Sequence, residues 1–115
     1  MLAVNIEKKT LANKHYRKVI YTDKYMQLVL MSLKPGEDIP VETHNNVTQF
    51  IRIESGNGIA IIKNKKIPLK AGISVIISPK QKHYLKNNSK TNPLKLYTIY
   101  SPPEHSVNKI NKRQP

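Results

Sequence analysis

Cysteine is absent from this chain of 115 residues. That absence removes disulfides, thiolate ligands and cysteine nucleophiles, so any metal must be held by nitrogen and oxygen donors. Acidic residues are scarce: 7 stand against 20 Lys and Arg, leaving a formal net charge of +13. No apolar run approaches the roughly 18 residues that a membrane-crossing helix needs, which excludes such a span. The opening residues Met1-Leu2-Ala3-Val4-Asn5-Ile6-Glu7-Lys8-Lys9 lack both the basic leader and the long apolar core of a secretory signal, and we expect an intracellular, cytoplasmic chain. Without that signal, the glycosylation sequons at Asn46-Val47-Thr48 and Asn87-Asn88-Ser89 are read as chance. Also missing are internal repeats and any convincing hydrophobic period of 3.6. The length suits one domain, enough to bury a core but not to hold a second.

What the chain has in excess is lysine. A basic surface attracts polyanions and steers charged ligands. Here, though, 17 Lys against 3 Arg accompany 11 Asn and 14 Ile, the residues of A/T-rich codons, and the lysines are scattered from Lys8 to Lys112. Directed nucleic-acid binding usually needs a clustered stripe, so nucleic acid is not the expected partner. A small anionic molecule, favoured by the general field, is.

The apolar residues recur with the period of strands. Arg17 to Thr22 reads as a first strand, and Met26 to Leu33 as a second, apolar on both faces and therefore covered on both. Pro35-Gly36 suits a type II turn, proline presetting the first corner and glycine taking the positive φ of the next. Val47 to Ile53 is a β-branched and aromatic run. Ser55-Gly56-Asn57-Gly58 predicts a hairpin into a return strand at Ile59 to Lys63, and Asn64-Lys65 a second hairpin into Lys66 to Leu69, where Pro68 implies an edge or a bulge. Ile73 to Ile77, Lys82 to Asn87 and Leu94 to Ser101 complete the series, and Pro102-Pro103 stops it. Short strands with turn signals every few residues predict an all-β sandwich or barrel. Residues 1–15 are expected to be a polar arm outside the core, an edge strand on a partner or mobile; 16–101 the barrel domain; and 102–115 a loose polar tail.

One stretch, Pro35 to Gly58, organises the chemistry. Glu42 and His44 are two residues apart and share a face of a strand; Pro40 bars a helix here. Glu42, His44 and Gln49 can then converge as a carboxylate, an imidazole and an amide oxygen, and His83, between Gly72 and Asn87, can supply a fourth donor. His15 and His105 sit in polar ends and are read as surface residues. Gln27, Met31, Ile51, Leu85 and Tyr100 are assigned to the cavity lining by strand alternation. Arg52 and Lys18 are considered for a substrate carboxylate, with exposed salt bridges as their ordinary fate.

The spacing from Gly36 through Glu42, His44 and Gln49 to Gly56 resembles the first motif of the cupins, small β-barrel proteins, and Gly72 to Asn87, with His83, is similar to the second. Glu42 stands where the commonest pattern has histidine and Gln49 where it has glutamate; Pro79 is displaced by one place, and Lys80 replaces a usual turn glycine. The resemblance implies a jelly-roll double-stranded β-helix and one divalent metal ion (Zn, Mn, Fe or Ni) on Glu42, His44, Gln49 and His83. It implies a homodimer, and an enzyme of dioxygenase, isomerase or sugar- and uronate-processing type acting on a small anionic or sugar-derived molecule. A binding or sensing module without catalysis is the alternative, and a basic nucleic-acid-binding barrel comes behind it. Two imidazoles, one carboxylate and a neutral amide form a donor set with open positions, suited to a Lewis-acid ion.

Overall fold

The structure is a computed structural model that describes Met1–Pro115. One short helix, α1 (Ile6–Ala12), precedes ten strands: β1 (Arg17–Thr22), β2 (Gln27–Leu33), β3 (Asp38–Glu42), β4 (Thr48–Ser55), β5 (Asn57–Ile62), β6 (Lys65–Lys70), β7 (Ser74–Ile77), β8 (His83–Lys86), β9 (Leu94–Ser101) and β10 (Ile110–Asn111). They form two antiparallel sheets, one ordered β10-β1-β2-β9-β4-β7 and one ordered β3-β8-β5-β6. This is the expected all-β jelly roll.

Alternation puts Val29, Met31, Leu33, Ile51, Ile53, Leu94 and Leu96 of the larger sheet against Ile39, Ala60, Ile62, Leu69 and Leu85 of the smaller one, all buried. Each large aliphatic side chain so placed contributes roughly 1.5–3 kcal/mol. The five residues assigned to the interior, Gln27, Met31, Ile51, Leu85 and Tyr100, are all at most 3% exposed. Pro68 lies on β6, the edge strand of the smaller sheet, where no partner needs its missing N–H. At Pro35-Gly36 the Glu37 amide donates to the Lys34 carbonyl at 2.9 Å and Gly36 has φ +82°, as the predicted turn requires.

Three expectations are corrected. Ser55-Gly56-Asn57-Gly58 is not a hairpin, because β4 and β5 belong to different sheets. It is a corner at which the chain changes layer. Gly56, at φ +96°, is needed there because a Cβ would strike the Pro93 carbonyl oxygen. The second expected hairpin does form, one residue earlier than read, with Lys63-Asn64 at φ of +50° and +64° joining β5 to β6.

The residues read as an arm contain α1, packed on β9, β4 and β2. The Asn5 side chain caps its start by accepting from the Lys8 amide at 3.0 Å, and Thr10 is fully buried. At the other end Lys95 Nζ donates to the carbonyls of Leu11 and Asn13 at 2.7 and 2.8 Å, and burial lowers its pKa. A seven-residue helix is marginal by itself and depends on such packing. It lies over the second face of β2, which explains why that strand is apolar on both sides.

Nor is the tail loose. β10 pairs with β1, and buried Gln27 accepts from the amides of Glu104 (3.2 Å) and His105 (2.8 Å) while donating to the His105 carbonyl at 2.8 Å. Gln114 clasps Asp38 through two further bonds, accepting from its amide at 3.0 Å and donating to its carboxylate at 2.7 Å. The C-terminal segment thus returns across the sheets toward the end of the barrel where Glu42 and His44 lie.

Candidate metal centre

Glu42 ends β3, and its cross-strand partner is His83, the first residue of β8. The register shifts between Ile39 and Glu42, around Pro40, so the strand bulges as it delivers Glu42 to that position. His44 follows two residues later, outside the strand. Its carbonyl accepts from the Lys80 amide at 2.6 Å. Lys80 has φ +70°, the left-handed conformation that the usual glycine of this turn would adopt. The departure from the motif therefore leaves the turn intact.

The rings of His44 and His83 lie 5.2 Å apart, and one ligand atom from each of Glu42, His44 and His83 falls within 4.8 Å of the others. With metal–ligand bonds of ~2.1 Å, a single ion reaches all three with only small shifts of the side chains. Both histidines are buried. His83 Nδ1 lies 3.0 Å from the Gln81 carbonyl, a contact that requires the proton on Nδ1 and leaves Nε2 with a free lone pair. His44 Nδ1 lies 3.2 Å from a Glu104 carboxylate oxygen, which imposes the same tautomer.

The consequence is a cluster of unpartnered atoms. His44 Nε2, His83 Nε2 and Gln49 Oε1 are all buried and have no hydrogen-bond partner. Gln49 is only 3% exposed; its Nε2 donates to Thr98 Oγ1 at 3.0 Å, which turns Oε1 the other way. Glu42 Oε2 sits 3.7 Å from His44 Nε2. With both Nδ1 atoms protonated, His44 Nε2, His83 Nε2 and the Glu42 carboxylate are acceptors gathered at one place, an arrangement that costs energy unless a cation lies between them. The donor set of two imidazoles and a carboxylate fits a divalent first-row ion.

Around this cluster lie Tyr100, which strand alternation assigned to the cavity lining, and groups that the sequence did not indicate. Tyr100, on β9, presents its ring edge-on to His44 at 6.0 Å. Burial, reinforced by Glu42, raises its phenol above the ordinary range, and the hydroxyl remains protonated at neutral pH. His105 stacks edge-on to Tyr100 at 5.1 Å, and its pKa is pushed down to about 4, first by burial and then by the charges of Arg17 and Lys109. The expectation that His105 is a surface residue is therefore corrected, and Glu104 and Arg17 were likewise not foreseen. No local pattern in 102–115 marked Glu104 and His105; their positions depend on Gln27, some 78 residues away in the chain.

Arg52 pairs with Glu54 at 3.2 Å, and Lys18 lines a cleft between α1 and β1 with His15. Neither of these cations belongs to the cluster. Beside Glu42, a cleft of about 240 Å³ is lined by Tyr16, Arg17, Pro40, Glu42 and Pro115. A larger one of about 490 Å³ lies along Val41, Ile61 and Tyr84, ringed by Lys63, Lys80 and Lys82. No helix is long and apolar enough to cross a membrane.

The sequence pattern of the cupin domain family matches residues 29–100. The chain is 49% identical over 115 residues to protein L612 of Acanthamoeba polyphaga mimivirus, covering 97% of this chain and 72% of that protein. It is 40% identical to protein YrkC of Bacillus subtilis (strain 168), covering 95% of this chain but only 61% of YrkC. The crystal structure of BH2720 from Bacillus halodurans superposes with a TM-score of 0.94 at 31% identity, covering 97% of this chain and 89% of that one. With its two sheets, its paired motifs and these relatives, the chain belongs to the cupin family.

Proposed function

We propose that the protein is a metal-dependent enzyme acting on a small, oxygen-rich anionic molecule by proton-transfer chemistry of the isomerase type. The observation that carries this reading is the pair of buried, unpartnered acceptors His44 Nε2 and His83 Nε2 gathered with the Glu42 carboxylate, with Gln49 Oε1 also buried and unpartnered. Each such atom costs about 1–3 kcal/mol if left unsatisfied, and a coordinated cation would offset that cost. Glu42, His44 and His83 would hold the ion, with Gln49 as the fourth donor.

When bound, a divalent ion supplies Lewis acidity that polarises a substrate oxygen. The chain's own groups do the rest. Tyr100, kept protonated by burial, donates a hydrogen bond to negative charge developing on the substrate. His105, neutral down to about pH 4, lies 3.4 Å from the Tyr100 hydroxyl and orients it without adding a charge. Glu104 holds His44 in the tautomer that ligates. A second reading, an oxygenase, is favoured by one feature: two histidines and one carboxylate with open positions suit Fe(II).

Elemental analysis of gently purified protein tests the proposal. About one equivalent of a first-row metal is expected in the wild type, and almost none in the His44→Ala, His83→Ala double variant. Equal metal in both would sink it. A full equivalent of metal with no turnover of any enolisable acid or sugar acid would leave a binding module instead.

A further inference from the structure

The barrel interior contains a positive charge that the proposed centre does not use. Arg17, on β1, is only 8% exposed, yet it forms no salt bridge. Its Nη1 donates to Asn111 Oδ1 at 2.8 Å, and its guanidinium carbon lies 5.2 Å from the centre of the Tyr16 ring. Nε is buried without any partner, and Nη2 forms no hydrogen bond within the chain. A buried cation is costly unless an anion and hydrogen-bond acceptors meet it, and here one edge of the fork has neither. Arg17 lines the 240 Å³ cleft together with Glu42, one of the residues assigned to the ion.

We infer that Arg17 is the carboxylate-binding residue of the substrate site, and that the substrate is a small monocarboxylic acid held between Arg17 and the metal centre. The inference deepens the proposed function and rests on it only for the second point of attachment. Three observations select this ligand. The free Nε–Nη2 edge presents two parallel N–H groups, the geometry that a planar carboxylate accepts in bidentate fashion. The cleft, at about 240 Å³, is smaller than the roughly 300 Å³ at which pockets for drug-sized ligands begin, which suits a compact ligand. Glu42 in the same cleft, with Glu104 beside His44, disfavours a second negative charge on the ligand, which counts against phosphate esters.

Titration calorimetry with lactate, its neutral isostere lactamide, and inorganic phosphate provides the test, first on metal-free protein. Lactate is expected to bind at one site, and lactamide and phosphate at least tenfold more weakly. Arg17→Gln should weaken lactate at least tenfold; Arg17→Lys, which keeps the charge but loses the fork, should weaken it by less. Equal lactate affinity in Arg17→Gln and wild type overturns the assignment, as does equal binding of lactamide. Tighter binding of phosphate overturns the carboxylate class. If Arg17→Gln fails to fold, the wild type decides: lactate must raise its melting temperature and lactamide must not, and no difference between them refutes the inference. Repeating the titration with zinc separates the two proposals. Protein that takes up no zinc but still needs Arg17 for lactate loses the metal reading and keeps this one, whereas zinc uptake with lactate indifferent to Arg17 does the reverse.

Discussion

Glu104 offers a direct test of how the tail acts on the centre. Its carboxylate stands 3.2 Å from His44 Nδ1 and is about one third exposed (33%), while His44 is 9% exposed. A hydrogen bond to a charged group is worth roughly 1.5–3 kcal/mol when protected from water, and solvent at Glu104 screens part of that. About 1.4 kcal/mol remains, which corresponds to a tenfold change in the affinity of the ion that His44 would bind, the lower end of the ~10–100-fold range for such supporting groups. Glu104→Ala should therefore weaken zinc binding about tenfold. Glu104→Gln, which keeps an acceptor but not the charge, should weaken it about threefold. The assay is competition against a chromophoric chelator at fixed pH and salt. The tail should stay docked in both variants, because Gln27 accepts from backbone amides at 104 and 105 that neither substitution removes. Identical zinc affinity in Glu104→Ala and wild type would refute the reasoning that Nδ1 is tethered to orient Nε2.

Asn87 is fully buried and joins three segments, donating to the carbonyls of Leu33 and Asn92 and accepting from the Ser89 amide; Asn87→Ala should cost about 2–4 kcal/mol, read as a lower urea midpoint with an unchanged slope. Gly56→Ala should destabilise far more than Gly36→Ala, since both have positive φ but only the former places its new methyl against backbone, at Pro93; equal melting temperatures would contradict the corner assignment. For His105 the folded pKa of about 4 lies below the ordinary 6.5, so the unfolded state binds more protons between these values. Its contribution to tail docking is complete above pH 6.5 and is lost as the pH falls toward 4. Hydrogen exchange at the amides of Glu104 and His105 should accelerate over that window, and His105→Phe should flatten the profile.

The strands and the Pro35-Gly36 turn were legible because their signals are local: period-two alternation follows from the pleat, and positive φ from glycine. The donors Glu42, His44, Gln49 and His83 could be named for the same reason, through two motifs of fixed spacing. Where local signals were shared by two outcomes, the sequence did not decide. Ser55-Gly56-Asn57-Gly58 reads as a hairpin whether the next strand returns beside the first or crosses to the other layer, and only the pairing of β4 with β7 and β9 settles it.

By itself, then, the sequence determined an all-β chain with two motifs that bring Glu42, His44 and His83 within reach of one another, and a lysine excess without a stripe. The tertiary structure decided what surrounds them. Arg17 meets Asn111 because β10 pairs with β1, and Glu104 and His105 lie beside His44 and Tyr100 because one buried amide, Gln27, satisfies a backbone far along the chain. Such contacts depend on which unpaired polar groups the folded barrel leaves open, a property of the assembled sheets and not of any window of neighbouring residues.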